Sequence, residues 1–354
     1  MKTWVRKSLS VGVLAAGAVL ASGGAAMADS SATTSDNYGI GNGAQVQLPI
    51  QAPVNLCGNA VAGAGGAAFA ECTGGATATG LGGAAQSSSD NYGIGNGAQL
   101  YAPIQVPLNV CGNGVAGLGG AAFASCEGGS EAGGGNDGGN NGGGYGEAAR
   151  AKTEGAAAVR QATSGNFGIG NGVQVYAPIQ VPIDACGNSV AGFGAATFAG
   201  CEGGATAKGA GSGSVSQVSS DNYGIGNGVQ VYAPVQVPVD ISGNAVGGAF
   251  GIAFAQSKGG ASATRSGAGN ATESLPVVSG LPVNDLLGGL IGGKARHATE
   301  GSRVASQSSG GNFGIGNGVQ IQLPIQVPIN LSGNAVAGLG GLAKAGSTGG
   351  ASAR

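Results

Sequence analysis

Six cysteines at a recurring spacing are the residues of this sequence best suited to covalent chemistry. They form three pairs whose members lie fifteen residues apart: Cys57 and Cys72, Cys111 and Cys126, and Cys186 and Cys201. Six cysteines permit many pairings, and the identical spacing favours one disulfide within each pair. A bridge over this distance requires a chain reversal, which we expect near Gly65-Gly66 and Gly119-Gly120 in the first two segments.

Two later segments replace both cysteines at once. Ser242 and Ser332 stand where the first cysteine belongs, and Ser257 and Ser347 follow fifteen residues later. A disulfide predicts paired loss, because a single orphan thiol could cross-link wrongly. A metal site predicts it less clearly, and two cysteines without histidine are a poor zinc set. We therefore expect disulfides and no metal or other cofactor.

Catalysis finds little support in the sequence. The only histidine is His297, and no acid or thiol is placed to orient it, so serine and cysteine hydrolase schemes lack a base. Asp184 and Asp240 occupy a position where other copies of the motif have Asn55, Asn109 and Asn330. A carboxylate there is optional. We expect no enzyme and no catalytic residue.

The elements that carry the cysteines are copies of one repeat. Its opening, Asn37-Tyr38-Gly39-Ile40-Gly41-Asn42-Gly43, returns with Tyr or Phe in second position. The five copies begin at Asn37, Asn91, Asn166, Asn222 and Asn312. The Gly-Ile-Gly-Asn-Gly segments lack the Lys-Ser/Thr of a phosphate loop, so we interpret them as turns with positive φ that enter a strand.

The distances between these starts, 54, 75, 56 and 90 residues, are unequal. Because a solenoid stacks its turns at constant pitch, the spacing favours separate units on a flexible chain. The predicted repeats are 35–76, 89–130, 164–205, 220–261 and 310–351. A Gly/Asn-rich linker is expected at 127–165, and a linker with an apolar segment at 262–309.

After each Asn-Gly the sequence alternates strictly between aliphatic residues and Gln, Tyr, Pro, Asn or Asp. The period of two predicts a β-strand with one aliphatic face and one amide face. The candidate assembly residues on the aliphatic face are Val46, Ile50, Val54, Ile104, Val106, Ile179, Val181, Val235, Val237, Ile325 and Val327.

Two prolines lie four residues apart in every copy. They are Pro49 and Pro53, Pro103 and Pro107, Pro178 and Pro182, Pro234 and Pro238, and Pro324 and Pro328. Prolines at this spacing remove N–H donors from the same strand edge and leave the other edge able to pair. Two compatible interpretations remain, ordinary edge protection and a brake that keeps the monomer soluble until it is templated.

Composition sets the fold class. Glycine accounts for 78 of 354 residues, charged residues for 8%, and the formal net charge is −2. Such a chain buries little apolar surface alone, is weakly repelled by its own copies and offers no basic face to nucleic acid. We predict all-β-leaning repeats with much disorder: five short β-hairpin-like units on Gly/Ser/Ala-rich linkers, assembling into cross-β fibrils.

The first 28 residues have the features of an export signal. Lys2, Arg6 and Lys7 precede the apolar stretch Val11 to Leu20, and Ala26-Met27-Ala28 suits signal peptidase. The apolar run is too short and too glycine-rich for a transmembrane anchor. A secreted protein located at the cell surface or cell wall is expected.

The repeat resembles the chaplin domain of filamentous actinobacteria. The resemblance is carried by Gly-Asn-Gly, by the two prolines of Gln99 to Pro107, by Cys111-Gly112-Asn113 and by Cys126. It implies a secreted protein with intramolecular disulfides that self-assembles at air-water interfaces into an amyloid-like coat. Such a coat lowers surface tension for aerial growth and covers hyphae or spores. The long members of the family end in a sortase signal, which the segment Gly350 to Arg354 lacks.

The partners that the resemblance implies are further copies of the chain, other coat proteins of the family, and a cell-wall surface or polysaccharide. The alternative is a secreted adhesin or matrix-binding protein. In that case the aromatic pairs Tyr92/Tyr101 and Tyr223/Tyr232 would bind polysaccharide.

Overall fold

The computed structural model describes residues 30–79, 84–133, 159–209, 215–264 and 306–353, except 316 and 318. The predicted export signal at 1–28, the apolar segment of the second linker and His297 lie outside these residues. The described residues form forty strands in five layers of eight.

The strands have the following bounds. Layer 1 contains β1 (Ser30–Ser35), β2 (Tyr38–Ile40), β3 (Gln45–Gln47), β4 (Ile50–Gln51), β5 (Val54–Cys57), β6 (Ala60–Ala62), β7 (Ala67–Thr73) and β8 (Ala76–Thr79). Layer 2 contains β9 (Ala84–Ser89), β10 (Tyr92–Ile94), β11 (Gln99–Tyr101), β12 (Ile104–Gln105), β13 (Leu108–Cys111), β14 (Gly114–Ala116), β15 (Ala121–Glu127) and β16 (Ser130–Gly133). Layer 3 contains β17 (Val159–Ser164), β18 (Phe167–Ile169), β19 (Gln174–Tyr176), β20 (Ile179–Gln180), β21 (Ile183–Cys186), β22 (Ser189–Ala191), β23 (Ala196–Glu202) and β24 (Ala205–Lys208). Layer 4 contains β25 (Val215–Ser220), β26 (Tyr223–Ile225), β27 (Gln230–Tyr232), β28 (Val235–Gln236), β29 (Val239–Ser242), β30 (Ala245–Gly247), β31 (Ile252–Lys258) and β32 (Ala261–Thr264). Layer 5 contains β33 (Ser306–Gly310), β34 (Phe313–Ile315), β35 (Gln320–Gln322), β36 (Ile325–Gln326), β37 (Ile329–Asn330), β38 (Ala335–Ala337), β39 (Leu342–Thr348) and β40 (Ala351–Ala353).

Corresponding strands of the five layers pair in parallel, so the structure contains eight five-stranded sheets that run along the stack. The register places equivalent residues opposite one another. Ile50, Ile104 and Ile179 are successive partners, for example, and so are Cys57, Cys111 and Cys186. The all-β prediction is confirmed. Each layer extends a few residues beyond the predicted repeat boundaries, so strands such as β16 and β17 lie within the segment 127–165 that was expected to be a linker.

The expectation of separate units on a flexible chain is wrong. Layers 1 to 4 each span 50 residues and the described part of layer 5 spans 48, so the unequal spacing comes from the links between the layers. A stack requires layers of similar length, but the links between layers can differ in length. The reason is that each added link residue increases the entropic cost of closing the loop only slightly.

The prediction of a hairpin-like unit is correct for the chain reversal and wrong for the strand pairing. In layer 1 the chain turns between β6 and β7, where the Gly66 N–H donates to the Gly63 carbonyl at 2.9 Å. The backbone hydrogen bonds of these two strands, however, run to β14 and β15 in the next layer. The two strands therefore face each other through side chains, as in a β-arch.

The amide face of each strand points inward and the aliphatic face points outward. Gln105, Gln180 and Gln236 are buried, whereas their neighbours Ile104, Ile179 and Val235 remain partly exposed. The apolar core consists mainly of alanines inside the arch, with a second cluster around Tyr101 and Tyr176. Small side chains let the arch close tightly, which accounts for the Gly/Ala-rich second half of each repeat.

The Gly-Asn-Gly turns have the conformation that the sequence predicts. Gly41 and Gly43 have φ of 70° and 69°, and the turn connects β2 to β3. A side chain at these positions would be strained.

Loss of an inward glutamine should cost more stability than loss of an outward aliphatic residue. Gln180→Ala removes the bond that its Nε2 donates to Gln105 Oε1 and the bond that its Oε1 accepts from Gln236 Nε2, at 3.0 and 2.9 Å. It deprives Gln105 Oε1 and Gln236 Nε2 of one buried hydrogen bond each, so we expect a loss of about 3 kcal/mol in the free energy of unfolding. The neighbouring outward variant Val181→Ala should lose about 1 kcal/mol. Urea denaturation measures both, and a larger loss for Val181→Ala would contradict the assignment of the two faces.

Candidate assembly interface

Among the residues that the structure describes, the sheets have an unpaired edge at each end of the stack. In the following, the lower edge of a layer faces the preceding layer and the upper edge faces the next one. The lower edge of layer 1 and the upper edge of layer 5 have no neighbour within the described residues. Equivalent side chains are more exposed in the end layers than inside the stack: Ile40 and Ile315 are 77% and 72% exposed, against 48% for Ile94 in layer 2.

The strand prolines make the two edges chemically different. Between layers 1 and 2, the N–H groups of Ile104 and Leu108 donate downward to the carbonyls of Pro49 and Pro53 at 2.8 and 2.9 Å. Each proline thus presents its carbonyl to the next layer and lacks an N–H on the same upper edge. The geometry agrees with the prediction that both prolines of a copy affect one edge, and the prolines of the middle layers are buried.

The candidate assembly residues all lie on the outward face, in columns along the stack. The column at Ile50 contains Ile104, Ile179, Val235 and Ile325. The amides of the opposite face lie inside the layers and not in water.

Amide ladders connect the layers through the interior. In one of them Gln105, Gln180, Gln236 and Gln326 each donate an Nε2–H to the Oε1 of the preceding glutamine, at 2.8 to 3.0 Å. The same nitrogens of the three middle glutamines also approach a backbone carbonyl of the last strand in their own layer. The side chain thus links layers along the axis and strands within a layer. Unsatisfied buried amides are costly, so the ladder favours one register.

Aromatic rings form columns on the surface. Tyr38, Tyr92, Phe167, Tyr223 and Phe313 stack with centroids 4.7 to 5.1 Å apart. A second column contains Phe69, Phe123, Phe198 and Phe254 at 4.9 to 5.1 Å, and Lys344 takes the fifth place. This column lines a groove of about 690 Å³.

The tyrosine pairs of the adhesin alternative do not share a surface. Tyr92 belongs to the outer column, whereas Tyr101 is 2% exposed and stacks on Tyr176 inside the layers. The same separation holds for Tyr223 and Tyr232.

The three predicted disulfides are confirmed. Cys57–Cys72, Cys111–Cys126 and Cys186–Cys201 close the arches of layers 1 to 3 and stack on one another. In layer 4 the hydroxyl oxygens of Ser242 and Ser257 lie 3.1 Å apart and Ser242 Oγ lies 3.0 Å from Asp240 Oδ2, and in layer 5 Ser347 donates to Ser332 at 2.8 Å. A hydroxyl pair therefore occupies the space of the sulfurs. Asp184 lies beside Cys186 and Cys201 in a cluster of potential metal ligands, but both sulfurs are consumed by the disulfide.

Two stacked carboxyl groups interrupt another ladder. Asn55 donates to Asn109 Oδ1 and Asn109 donates to Asp184 Oδ1, both at 2.7 Å. Asp240 and Asn330 follow in register. An ionised Asp184 cannot donate to Asp240, and an ionised Asp240 cannot donate to Asn330. Among the described residues, the Oδ1 atoms of Asp240 and Asn330 are indeed buried without a hydrogen-bond partner.

A proton on each carboxyl group would complete this ladder. Asp184 Oδ2 lies 3.1 Å from Cys186 Sγ, as Asn109 Nδ2 does from Cys111 Sγ, so it occupies the position of the donor nitrogen. Burial is the main cause that raises the pKa of Asp184 from 3.8 to about 7; the Asn109 hydrogen bond opposes this rise and the charge of Asp240 adds to it. Burial likewise raises the pKa of Asp240 to about 6, against the lowering effect of the Ser242 hydrogen bond. The position that sequence reasoning judged optional is thus the most strongly perturbed acid site among the described residues. The alternation of Asp and Asn was its only signal.

Comparison with known proteins bears on the repeat. The protein-family model ChpA-C matches the chain three times. The matches cover residues 20–74, 148–202 and 295–351, on layers 1, 3 and 5. ChpA-C is a chaplin-related family, so the chain contains chaplin-related segments. No curated protein and no solved structure matches the chain. In the part of the chain that the structure describes, no helix is a candidate for a membrane span.

Replacement of one disulfide by the serine pair of the later layers should be tolerated better than removal of one sulfur. Cys186→Ser with Cys201→Ser loses a cross-link worth about 3 kcal/mol for a loop of this size, and a hydroxyl bond as in layer 4 should recover about 1 kcal/mol. Cys186→Ser alone leaves a buried thiol and should unfold at lower urea concentration. Equal urea midpoints for the two variants would contradict this account.

Stability should fall as the pH rises from about 4 to about 7. Because the folded-state pKa values of Asp184 and Asp240 are raised, the folded chain holds protons that the unfolded chain releases, and the folded state loses stability across this window. Asp184→Asn with Asp240→Asn restores the donors found in Asn109, so it should raise the melting temperature at pH 7.5 and flatten its pH dependence. Thermal unfolding between pH 4 and 8 measures this, with Asp221→Asn at an exposed turn as control. An unchanged pH profile in the double variant would refute the assignment.

Proposed function

We propose that this protein is a secreted structural protein of the cell surface that self-assembles at air-water interfaces into an amphipathic, amyloid-like coat. The coat would lower surface tension for aerial growth and cover hyphae or spores. The observation that carries the proposal is a stack of in-register parallel strands whose first and last layers each have an open edge among the described residues. The three matches to a chaplin-related family support a surface-associated role.

The outward columns supply the affinity for an interface. Aliphatic and aromatic side chains cover the surface of the stack, including Ile94, Ile169 and Ile225 of the middle layers, which are 48%, 49% and 49% exposed. Contiguous apolar surface of this kind is unusual on a soluble monomer and favours transfer to air or to another apolar phase. The interior amides hold the fold together while that surface stays outside.

The adhesin remains a second candidate in a narrower form. Its tyrosine pairs are divided between the surface and the interior, so a ligand would have to bind the outer aromatic columns. Retention at a wall, partnership with other coat proteins and the absence of enzymatic activity belong to the same proposal and are open to experiment.

Surface tension and thioflavin fluorescence of the oxidised protein test the proposal. We expect agitation at an air-water interface to lower the surface tension and to yield a β-rich, dye-binding film. The triple variant Ile104→Thr, Ile179→Thr and Val235→Thr keeps β-branched side chains on one outward column and should lose part of the surface activity. Thr77→Ser, at an exposed site, is the matched control. A soluble monomer with unchanged surface tension would overturn the coat-forming function and redirect the search to polysaccharide ligands.

A further inference from the structure

We propose that copies of this chain join in one orientation only, with layer 1 of one copy stacked in register on layer 5 of another. The inference rests on the proposed self-assembly and adds its polarity. The partner is a second copy of this chain, and the contact surfaces are the lower edge of layer 1 and the upper edge of layer 5.

The backbone groups of the two edges are complementary. Inside the stack the N–H groups of Ile325 and Ile329 donate downward to the carbonyls of Pro234 and Pro238 at 2.8 Å. By the same geometry the lower edge of layer 1 offers the N–H groups of Ile50 and Val54, and the upper edge of layer 5 offers the carbonyls of Pro324 and Pro328. Two upper edges would place proline carbonyls and rings opposite each other, without the donors that a ladder requires.

The side chains of the two end layers also match. Phe313 would stack on Tyr38, Ile325 would pack on Ile50 and Gln326 would face Gln51, each repeating a pair found between adjacent layers. Lys344 would lie against the ring of Phe69 of the second copy and extend the phenylalanine column with a cation–π contact. The register that builds the interior therefore continues across the junction.

A column of glycines lies where successive layers approach each other closely. A Cβ atom at Gly75, Gly129, Gly204 or Gly260 would lie 2.1 to 2.5 Å from the carbonyl oxygen of the glycine one layer above. Gly350 is the fifth member of this column, and a Cβ atom there meets nothing within 4 Å. An alanine at 350 is thus harmless to the single chain, but it would clash with Gly75 of a second copy stacked above.

Two end-specific variants test the polarity. Gly350→Ala blocks the upper end. Ile50→Pro with Val54→Pro blocks the lower end, because it removes N–H groups that point away from layer 2. We expect each variant alone to remain monomeric and an equimolar mixture to form a dimer that does not grow, since only one compatible pair of edges remains. Sedimentation velocity of the full chain measures the masses, with wild type as the polymerising control.

The outcomes separate the two proposals. Failure of the wild type to polymerise overturns the proposed function and the polarity with it. A wild type that polymerises, together with a Gly350→Ala variant that dimerises or polymerises alone, overturns only the polarity. Gly260→Ala is the matched control within the chain, and it should lower the melting temperature of the monomer, whereas Gly350→Ala should not.

A label on the otherwise unchanged chain gives an independent measurement if the proline variant does not fold. Thr73 and Thr348 are exposed and occupy the same position in layers 1 and 5. Pyrene attached to Thr73→Cys with Thr348→Cys should show excimer emission in the polymer and none in the monomer, where the two labels lie four layers apart. Excimer emission from polymers of Thr73→Cys alone would indicate that two lower edges meet and would overturn the proposal.

Discussion

The structure depends on the direction of its backbone hydrogen bonds. Every sheet runs along the stack, so each layer is held mainly by the layers above and below it and only weakly by itself. A strand in such an arrangement needs a neighbour with the same contour and nearly the same sequence. The repetition of the sequence is thus the condition for the fold, and a single copy would lack the pairing partners that its backbone requires.

The need for nearly identical neighbouring layers explains why amide side chains lie inside the stack and aliphatic side chains lie outside. Parallel in-register stacking places identical residues next to each other, which suits amides and flat rings because each can bond or stack on its own copy. Gln180 and its equivalents form such a chain of bonds inside the layers, where the low dielectric strengthens them. Charges are poorly suited to the same position. The contact between Asp184 and Asp240 in the layer above it is the one place among the described residues where two buried acids meet, and the ladder fails there unless protons are supplied.

The local elements could be predicted from the sequence. The alternation predicts extended chain, which the structure divides at the prolines into short strands such as β3, β4 and β5. Gly41 and Gly43 give the turns, and the spacing of Cys57 and Cys72 gives the cross-link. The partners of the strands could not be predicted in the same way, because alternation has the same appearance in a hairpin and in a stack. The link lengths were misleading, since links such as 134–158 add length between layers without changing any layer. The sequence also did not indicate that Gln105 points inward, because a strand face of glutamine and proline is usually solvated. Here that face is buried because the glutamines of the five copies form hydrogen bonds with one another.

In the assembly proposed above, the links between layers have a consequence for the kinetics of growth. A polymer of single-layer subunits must assemble several chains before any layer has neighbours on both sides, and that encounter becomes rapidly rarer on dilution. Here layers 2, 3 and 4 have both neighbours within one molecule, so the rare multi-chain encounter is replaced by a folding reaction at high effective concentration. The waiting time before growth is then set by the folding of one chain and not by the meeting of many.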